Sequence, residues 1–265
     1  LTLLVFTDLD GSLMEHESYS IAPAEPALEA LAGRDSLLIF NSSKTAAEIR
    51  ALQEQLSFTA PYVCENGAAL EFPASDSDQQ NQYFGLPRQD WLPEVHALRE
   101  KTDYNFEGFA DWSDARVSEL TGLGKAEASL ARQRQYSEPI LWRGPASARR
   151  QFEADLARLG LSLLEGGRFF SIQGQHDKSK AMRWMQKQCT NAETLTVALG
   201  DSPNDSAMLA AADIAVIIKS AKSDQIQIQG PRKIIRTKRP GPAGWKDAMM
   251  DILQFVDSSV ENKHG

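Results

Sequence analysis

Short apolar runs without internal alternation recur along this chain, and most end in a polar turn rich in Asp, Asn, Ser or Gly. Leu3-Leu4-Val5-Phe6 is the first, and such an unbroken run suits a strand buried on both faces. Residues 23–32 then carry apolar positions at helical spacing and stop at Gly33. Residues 36–40 predict the next strand and residues 46–56 a helix. Tyr62-Val63-Cys64 predicts a third strand, ending in Glu65-Asn66-Gly67. Strand alternating with helix predicts a parallel sheet. The pattern then changes. Residues 76–82 are polar and read as a loop, and from about Trp91 to Gly174 helices mix with strands that look antiparallel. The clearest of these strands lie in 138–143 and 161–171, the latter with a hairpin turn at Gly166-Gly167, and 147–159 reads as the helix between them. Alternation resumes after Asp177, with a helix over 178–189, a strand at 195–199, a helix over 204–211 and a strand at 214–218. Ile234-Ile235 and a last helix near 245–255 complete the run. The expectation is an α/β chain in which a parallel-sheet core (residues 1–85 and 174–265) is interrupted by an inserted α+β domain (residues 86–173).

Two of the polar turns are acidic. Thr7-Asp8-Leu9-Asp10-Gly11-Ser12 ends the first strand, and Gly200-Asp201-Ser202-Pro203-Asn204-Asp205 ends a late one. Ligands of open parallel sheets sit at the carboxyl ends of the strands. Carboxylates gathered there repel one another, and a hard divalent cation such as Mg²⁺ is the natural compensation. Asp8 and Asp10 diverge unless the chain turns after Asp8, and Gly11 supplies a turn. One carboxylate can then be a nucleophile while the other moves protons, although an Asp pair merely capping a turn has the same spacing. Asn41-Ser42-Ser43-Lys44 follows the second strand and offers hydroxyl and backbone N–H groups at a helix start, a phosphate cradle or a plain N-cap by Ser43 or Thr45. Lys178 opens a helix, where the dipole disfavours a cation, so a partner anion is expected there. Phosphoryl transfer is the chemistry that uses all of these groups.

Composition narrows the partners. The 265 residues carry a net charge of −8, which argues against binding nucleic acid or an anionic membrane surface. An anionic substrate therefore needs local cations, and Arg132, Arg134, Arg143 and Arg168 lie near predicted strands of the insertion. His16, His96, His176 and His264 show no metal-ligand spacing. Two cysteines, Cys64 and Cys189, suit a reducing compartment rather than a disulfide framework. No apolar run approaches membrane-spanning length, and a cytoplasmic location is expected.

Together, Asp8-Leu9-Asp10-Gly11-Ser12, Ser42, Lys178 and Gly200-Asp201 through Asp205 resemble the four motifs of the haloacid dehalogenase superfamily of phosphohydrolases, with Ser12 where Thr is commoner. The insertion after Glu65-Asn66-Gly67-Ala68 is similar to the C2-type cap of that superfamily, on a Rossmann-like core. Ser42-Ser43-Lys44-Thr45, Arg134-Gln135-Tyr136-Ser137-Glu138-Pro139, Gly166-Gly167-Arg168-Phe169-Phe170 and Gly241-Pro242-Ala243-Gly244-Trp245 further resemble its mannosyl-3-phosphoglycerate phosphatase branch. Gln135 and Ser171 depart from that branch, where Glu and often His are expected. The resemblance implies an Mg²⁺-dependent phosphatase acting on a small sugar phosphate through an aspartyl-phosphate. In it Asp8 is the nucleophile, Asp10 the acid and base, and Ser42 and Lys178 hold phosphoryl oxygens. Asp8, the Asp10 carbonyl and Asp201 would bind the metal, with Asn204 and Asp205 ordering that shell. Ser43, Lys44, Glu65, Asn66, Gly67, Arg134 and Arg168 would bind the substrate. A glucosyl-3-phosphoglycerate or other sugar phosphate, or a phosphomannomutase-like transfer, uses the same core.

Overall fold

The computed structural model describes residues 2–15, 19–73, 79–102, 104–166, 168–189 and 194–264. His16, Gly167 of the expected hairpin turn and Asp76–Asp78 of the expected loop lie outside the described residues. The first half of the chain builds β1 (Thr2–Thr7), α1 (Glu25–Ala32), β2 (Ser36–Asn41), α2 (Ala46–Gln55), β3 (Tyr62–Cys64), β4 (Ala69–Glu71) and β5 (Gln82–Tyr83). There follow α3 (Arg88–Thr102), β6 (Phe106–Gly108), α4 (Asp114–Thr121), α5 (Lys125–Ala131), β7 (Ser137–Trp142), α6 (Ala146–Arg158), β8 (Leu161–Glu165) and β9 (Phe170–Gly174). The chain ends with α7 (Ser179–Gln188), β10 (Thr194–Gly200), α8 (Ser206–Ala211), β11 (Ile214–Lys219), β12 (Lys233–Pro240) and α9 (Gly241–His264).

One sheet has the order β12-β11-β10-β1-β2-β3-β4-β5 and is parallel from β12 through β3. Its last two strands pair antiparallel, a departure from the purely parallel core expected from the sequence. The cause is local. Glu65, Asn66 and Gly67 all take positive φ (46°, 59° and 97°), which reverses the chain at once, and strands joined by so short a turn can only pair antiparallel. The β1 run is apolar throughout because successive side chains face opposite layers. Leu3 and Val5 pack with α1, α2 and α9 residues such as Leu31, Ile49 and Trp245, while Leu4 and Phe6 pack with Met182 of α7 and Met208 of α8. Each such side chain contributes about 1.5–3 kcal/mol by leaving water. The last helix runs well beyond the expected 245–255, and Trp245, Met249, Ile252 and Val256 set one face of it in the core.

The residues between β5 and α7 form a second, antiparallel sheet, β6-β7-β9-β8, with its own core of Trp91, Val95, Phe106, Ile140, Phe152 and Ile172. This is the α/β core with an α+β cap, the fold expected of haloacid dehalogenase-like chains. Among the described residues no helix is long and apolar enough to cross a membrane. Within the large sheet, β1 lies between β2, which follows it, and β10, which comes from the far end of the chain. Connections therefore leave β1 and β10 in different directions, and a crevice opens at their carboxyl ends.

Candidate active site

Asp8 is the first residue past β1. Its N–H donates to the Leu199 carbonyl at 2.9 Å, and its own carbonyl accepts from the Thr7 hydroxyl at 2.8 Å. Trp245, buried in the core, donates Nε1–H to that same hydroxyl at 3.0 Å, so the far end of the chain braces the start of the site. Gly11, at φ 82°, turns the chain back, and its N–H donates to the Met14 carbonyl. Asp8 is thereby buried, whereas Asp10 remains partly exposed with its carboxylate 3.0 Å from Lys44 Nζ.

Lys178 is 1% exposed, and its ammonium donates to Asp8 Oδ1 at 2.5 Å and to Asp205 Oδ1 at 2.6 Å. Asn41 holds the Lys178 carbonyl at 2.8 Å. The anions that a lysine at a helix start calls for are thus carboxylates of the protein itself. The other Asp205 oxygen accepts the N–H groups of Asp201 and Ser202 at 3.0 and 3.1 Å, so Asp205 braces the loop that presents Asp201. Asn204 accepts the Ser202 hydroxyl within that loop. Gly200 leaves the room this needs, since a Cβ there would lie 2.5 Å from the Asp205 side chain.

Electrostatics follow from burial. Desolvation raises the Asp8 carboxyl well above the ordinary range, Asp205 and Asp201 add to this, and Lys178 opposes it. Burial alone would lower Lys178, but Asp205 and Asp8 together carry it above its ordinary value. Asp8, Asp201 and Asp205 each bring one carboxylate oxygen to within 4.8 Å of the others, all buried. Three clustered anions against one ammonium leave negative charge uncompensated, and hard oxygen donors of this kind fit Mg²⁺. Of the three, Asp205 has both oxygens engaged by the protein, Oδ1 by Lys178 and Oδ2 by the loop N–H groups.

Ser42 is wholly buried at the end of β2, with its hydroxyl accepting the Lys44 N–H at 3.2 Å. Thr45, not Ser43, caps α2. Its hydroxyl accepts the Glu48 N–H while the Glu48 carboxylate accepts the Thr45 N–H, a reciprocal capping box. Ser43 is exposed, and its carbonyl accepts Arg134 Nη1 at 2.8 Å.

Several residues expected to meet substrate are placed in structural contacts. Both Glu65 carboxylate oxygens face the cap and accept Gln135 N–H, Tyr136 N–H and the Ser137 hydroxyl at 2.8, 3.0 and 2.6 Å. Asn66 donates to Gln173 Oε1 at 3.1 Å. Gly67 packs so close to the Asp177 carbonyl that a Cβ would fall 2.0 Å from it. Arg168 donates to the Leu120 and Thr121 carbonyls at the end of α4, which anchors it inside the cap. Arg134 does stand against the Ser42–Lys44 loop. Its Nη1 and Nε serve Ser43, Ser137 and Ala131, and its Nη2 lies 3.8 Å from Glu48, beyond hydrogen-bond range. The pairing of Lys44 with Asp10 and the burial of His176, whose Nε2 meets the Glu65 carbonyl at 3.1 Å, were not legible from spacing. Their partners come from other strand ends.

Residues 5–104 match the haloacid dehalogenase-like hydrolase family, and residues 164–249 match the sucrose-6F-phosphate phosphohydrolase family. Among solved structures, the chain is similar to a haloacid dehalogenase-like hydrolase from Bacteroides thetaiotaomicron (17% identity, 95% of this chain and 100% of that one, TM-score 0.66). A sugar phosphatase of HAD subclass IIB aligns at 17% identity over 95% of this chain and 99% of that one, with a TM-score of 0.65. The sucrose-phosphatase of Synechocystis, solved with sucrose and phosphate, aligns at 16% identity over 94% and 97%, with a TM-score of 0.62. Likeness at such identities shows the fold.

Proposed function

We propose that this chain is a haloacid dehalogenase-like hydrolase acting as an Mg²⁺-dependent phosphatase of sugar phosphates, and that mannosyl-3-phosphoglycerate is its substrate. The observation that carries the reaction class is the buried triangle of Asp8, Lys178 and Asp205 beside Asp201. An Asp whose carboxylate is held at a sheet edge by one lysine, itself fixed by a second carboxylate, is arranged for in-line attack rather than for capping a turn. Asp8 attacks phosphorus, the bond to the sugar or glycerate oxygen breaks, and that oxygen takes a proton from the Asp10 carboxyl. Asp10, now a carboxylate, takes a proton from water, whose oxygen attacks the same phosphorus. The acyl-phosphate bond breaks, freeing Asp8 and inorganic phosphate. Lys178 keeps Asp8 Oδ1 fixed through both steps, and the Ser42 hydroxyl and Lys44 N–H lie at the helix start that receives phosphoryl oxygens. Asp8 and Asp201 would hold Mg²⁺, which would supply positive charge to the transferring group.

The sugar assignment rests on the cap and on sequence motifs. Arg134 supports it, because Nη2 can still pair with a second anion such as a glycerate carboxylate. The match of residues 164–249 to sucrose-6F-phosphate phosphohydrolase favours a second reading in which a disaccharide phosphate is cleaved instead. A cytoplasmic location belongs to the same reading, with Cys64 and Cys189 both free thiols. Phosphate release with Mg²⁺ should be measured on mannosyl-3-phosphoglycerate, glucosyl-3-phosphoglycerate, sucrose 6-phosphate and mannose 1-phosphate. The highest kcat/KM on the first supports the assignment, and the highest on sucrose 6-phosphate replaces it. No release from any, with phosphate moved between sugar positions when a bisphosphate is added, would make the protein a mutase.

A further inference from the structure

Three consecutive residues in left-handed backbone conformation are costly when two of them are not glycine. Glu65 and Asn66 nevertheless take φ 46° and 59° ahead of Gly67 at 97°. The conformation lets one short segment touch the Ser42 loop, the approach to Lys178 and both connections to the cap. Glu65 N–H donates to the Lys44 carbonyl and Asn66 N–H to the Ser42 carbonyl, both at 2.9 Å, which fixes the loop carrying Ser42. The Glu65 carbonyl meets His176, and Gly67 lies against Asp177, so the approach to Lys178 is fixed as well. Ala68 O accepts the N–H groups of Phe84 and Gly85 on the strand that leaves the core for the cap. Asn66 reaches Gln173 on the strand that returns, and Gln173 in turn donates to the His176 carbonyl at 3.0 Å. The Glu65 side chain enters the cap at a different strand, where it is 1% exposed and takes three hydrogen bonds from residues 135–137 at the start of β7.

We propose that Glu65 is a positioning residue, the latch that ties the seating of the cap to the loops holding Ser42 and Lys178. This rests on the phosphatase reading for its consequence but not for its geometry. A charged acceptor shared by three donors is strong and directional, so the cap is held at one angle when they engage. The same backbone that carries this carboxylate positions both phosphoryl-gripping loops. Cap seating and phosphoryl grip are therefore one mechanical unit, and Glu65 does not read sugar hydroxyls.

The test begins with hydrogen exchange of individual amides in the metal-free, substrate-free full chain. Glu65→Gln keeps one acceptor oxygen and turns an NH₂ toward donors, so Tyr136 N–H should exchange about 10- to 100-fold faster while strands of the core sheet stay protected. With mannosyl-3-phosphoglycerate or another cleaved sugar phosphate, kcat should fall about 10-fold and KM change less than threefold. Should Glu65→Gln fail to fold, Ser137→Ala removes one of the three donors and should raise Tyr136 exchange by about threefold or more. Unchanged exchange at Tyr136 in the folded variants overturns the latch. So does a raised KM with unchanged exchange, which would return Glu65 to sugar binding. Because exchange is read without turnover, its outcome stands even if no phosphate is released from any substrate.

Discussion

Removing the Lys178 ammonium tests the charge balance of the site more directly than any active-site assay. Lys178→Met keeps the apolar stem and deletes a cation that lies 2.5 Å from Asp8 and 2.6 Å from Asp205. Breaking a buried pair by removing one partner costs about 3–5 kcal/mol, since the remaining charge stays desolvated. In a chain of this size about 1 kcal/mol shifts the melting temperature by roughly 2–4 °C, so a drop on the order of 10 °C is expected. The loss must also depend on pH. The Asp8 carboxyl is raised in the folded protein, chiefly by burial, so folding takes up a proton there. Its cost is absent below the unfolded carboxylate range, near pH 4, and grows as pH rises through the folded value. Without Lys178 that folded value rises further.

Urea unfolding of both proteins in chelator, at pH 5 and pH 8, reads these terms. The difference between wild type and Lys178→Met should be larger at pH 8, and saturating Mg²⁺ at about 100 times its Kd should return about 2.7 kcal/mol to each protein. The double variant Asp8→Asn/Lys178→Met should be more stable at pH 8 than Lys178→Met alone, because one buried anion is gone. A loss below about 1 kcal/mol at pH 8, or equal losses at both pH values, would refute the claim that Lys178 is the counterion of this cluster.

Three further outcomes are expected. Asp8→Asn should fold and bind substrate yet lose several orders of magnitude in kcat, because an amide is a poor nucleophile; near-wild-type turnover would remove Asp8 from the chemistry. Chelation should abolish turnover and Mg²⁺ restore it, with Asp201→Ala needing far more Mg²⁺; full activity in excess chelator would end the metal assignment. Arg134→Ala should raise KM for mannosyl-3-phosphoglycerate by roughly 10-fold, the loss of a charged hydrogen bond, and scarcely affect 4-nitrophenyl phosphate. Equal losses on both substrates would make Arg134 a strut of the Ser43 carbonyl instead.

The sequence showed the core readily because its signals are local. Leu3 to Phe6 alternate between two apolar layers, so an unbroken run was the necessary pattern for β1. Asp8 and Asp205 come together because they follow neighbouring strands of one sheet, β1 and β10, whereas Lys178 arrives at the start of α7 as the chain returns from the last cap strand, β9. The antiparallel β4 and β5 were hidden, since they depend on a left-handed run that begins at Glu65, a residue type that seldom adopts it, before Asn66 and Gly67, which do so more readily. Glu65 and Arg168 were hidden differently. Their residue types suit ligand binding, but their partners lie 70 or more and 47 or more positions away in the chain.

That difference has a physical root. A motif specifies which charges a site contains, whereas burial decides which of them remain available to a ligand. Lys178 is committed to Asp8 and Asp205, Lys44 to Asp10, and Glu65 to the cap. Each pairing satisfies a group that would otherwise be costly to bury, and in the proposed reaction each also fixes an atom that must not move during transfer. Stability and catalysis are therefore supplied by the same contacts in this crevice. Arg134 Nη2 is different in kind, since among the described residues its ion-pair partner, Glu48, stands at 3.8 Å while Nη1 and Nε pin the guanidinium in place by direct hydrogen bonds. A pinned cation with a donor to spare loses little entropy when an anion arrives, and that is the physical case for placing the substrate's second charge there.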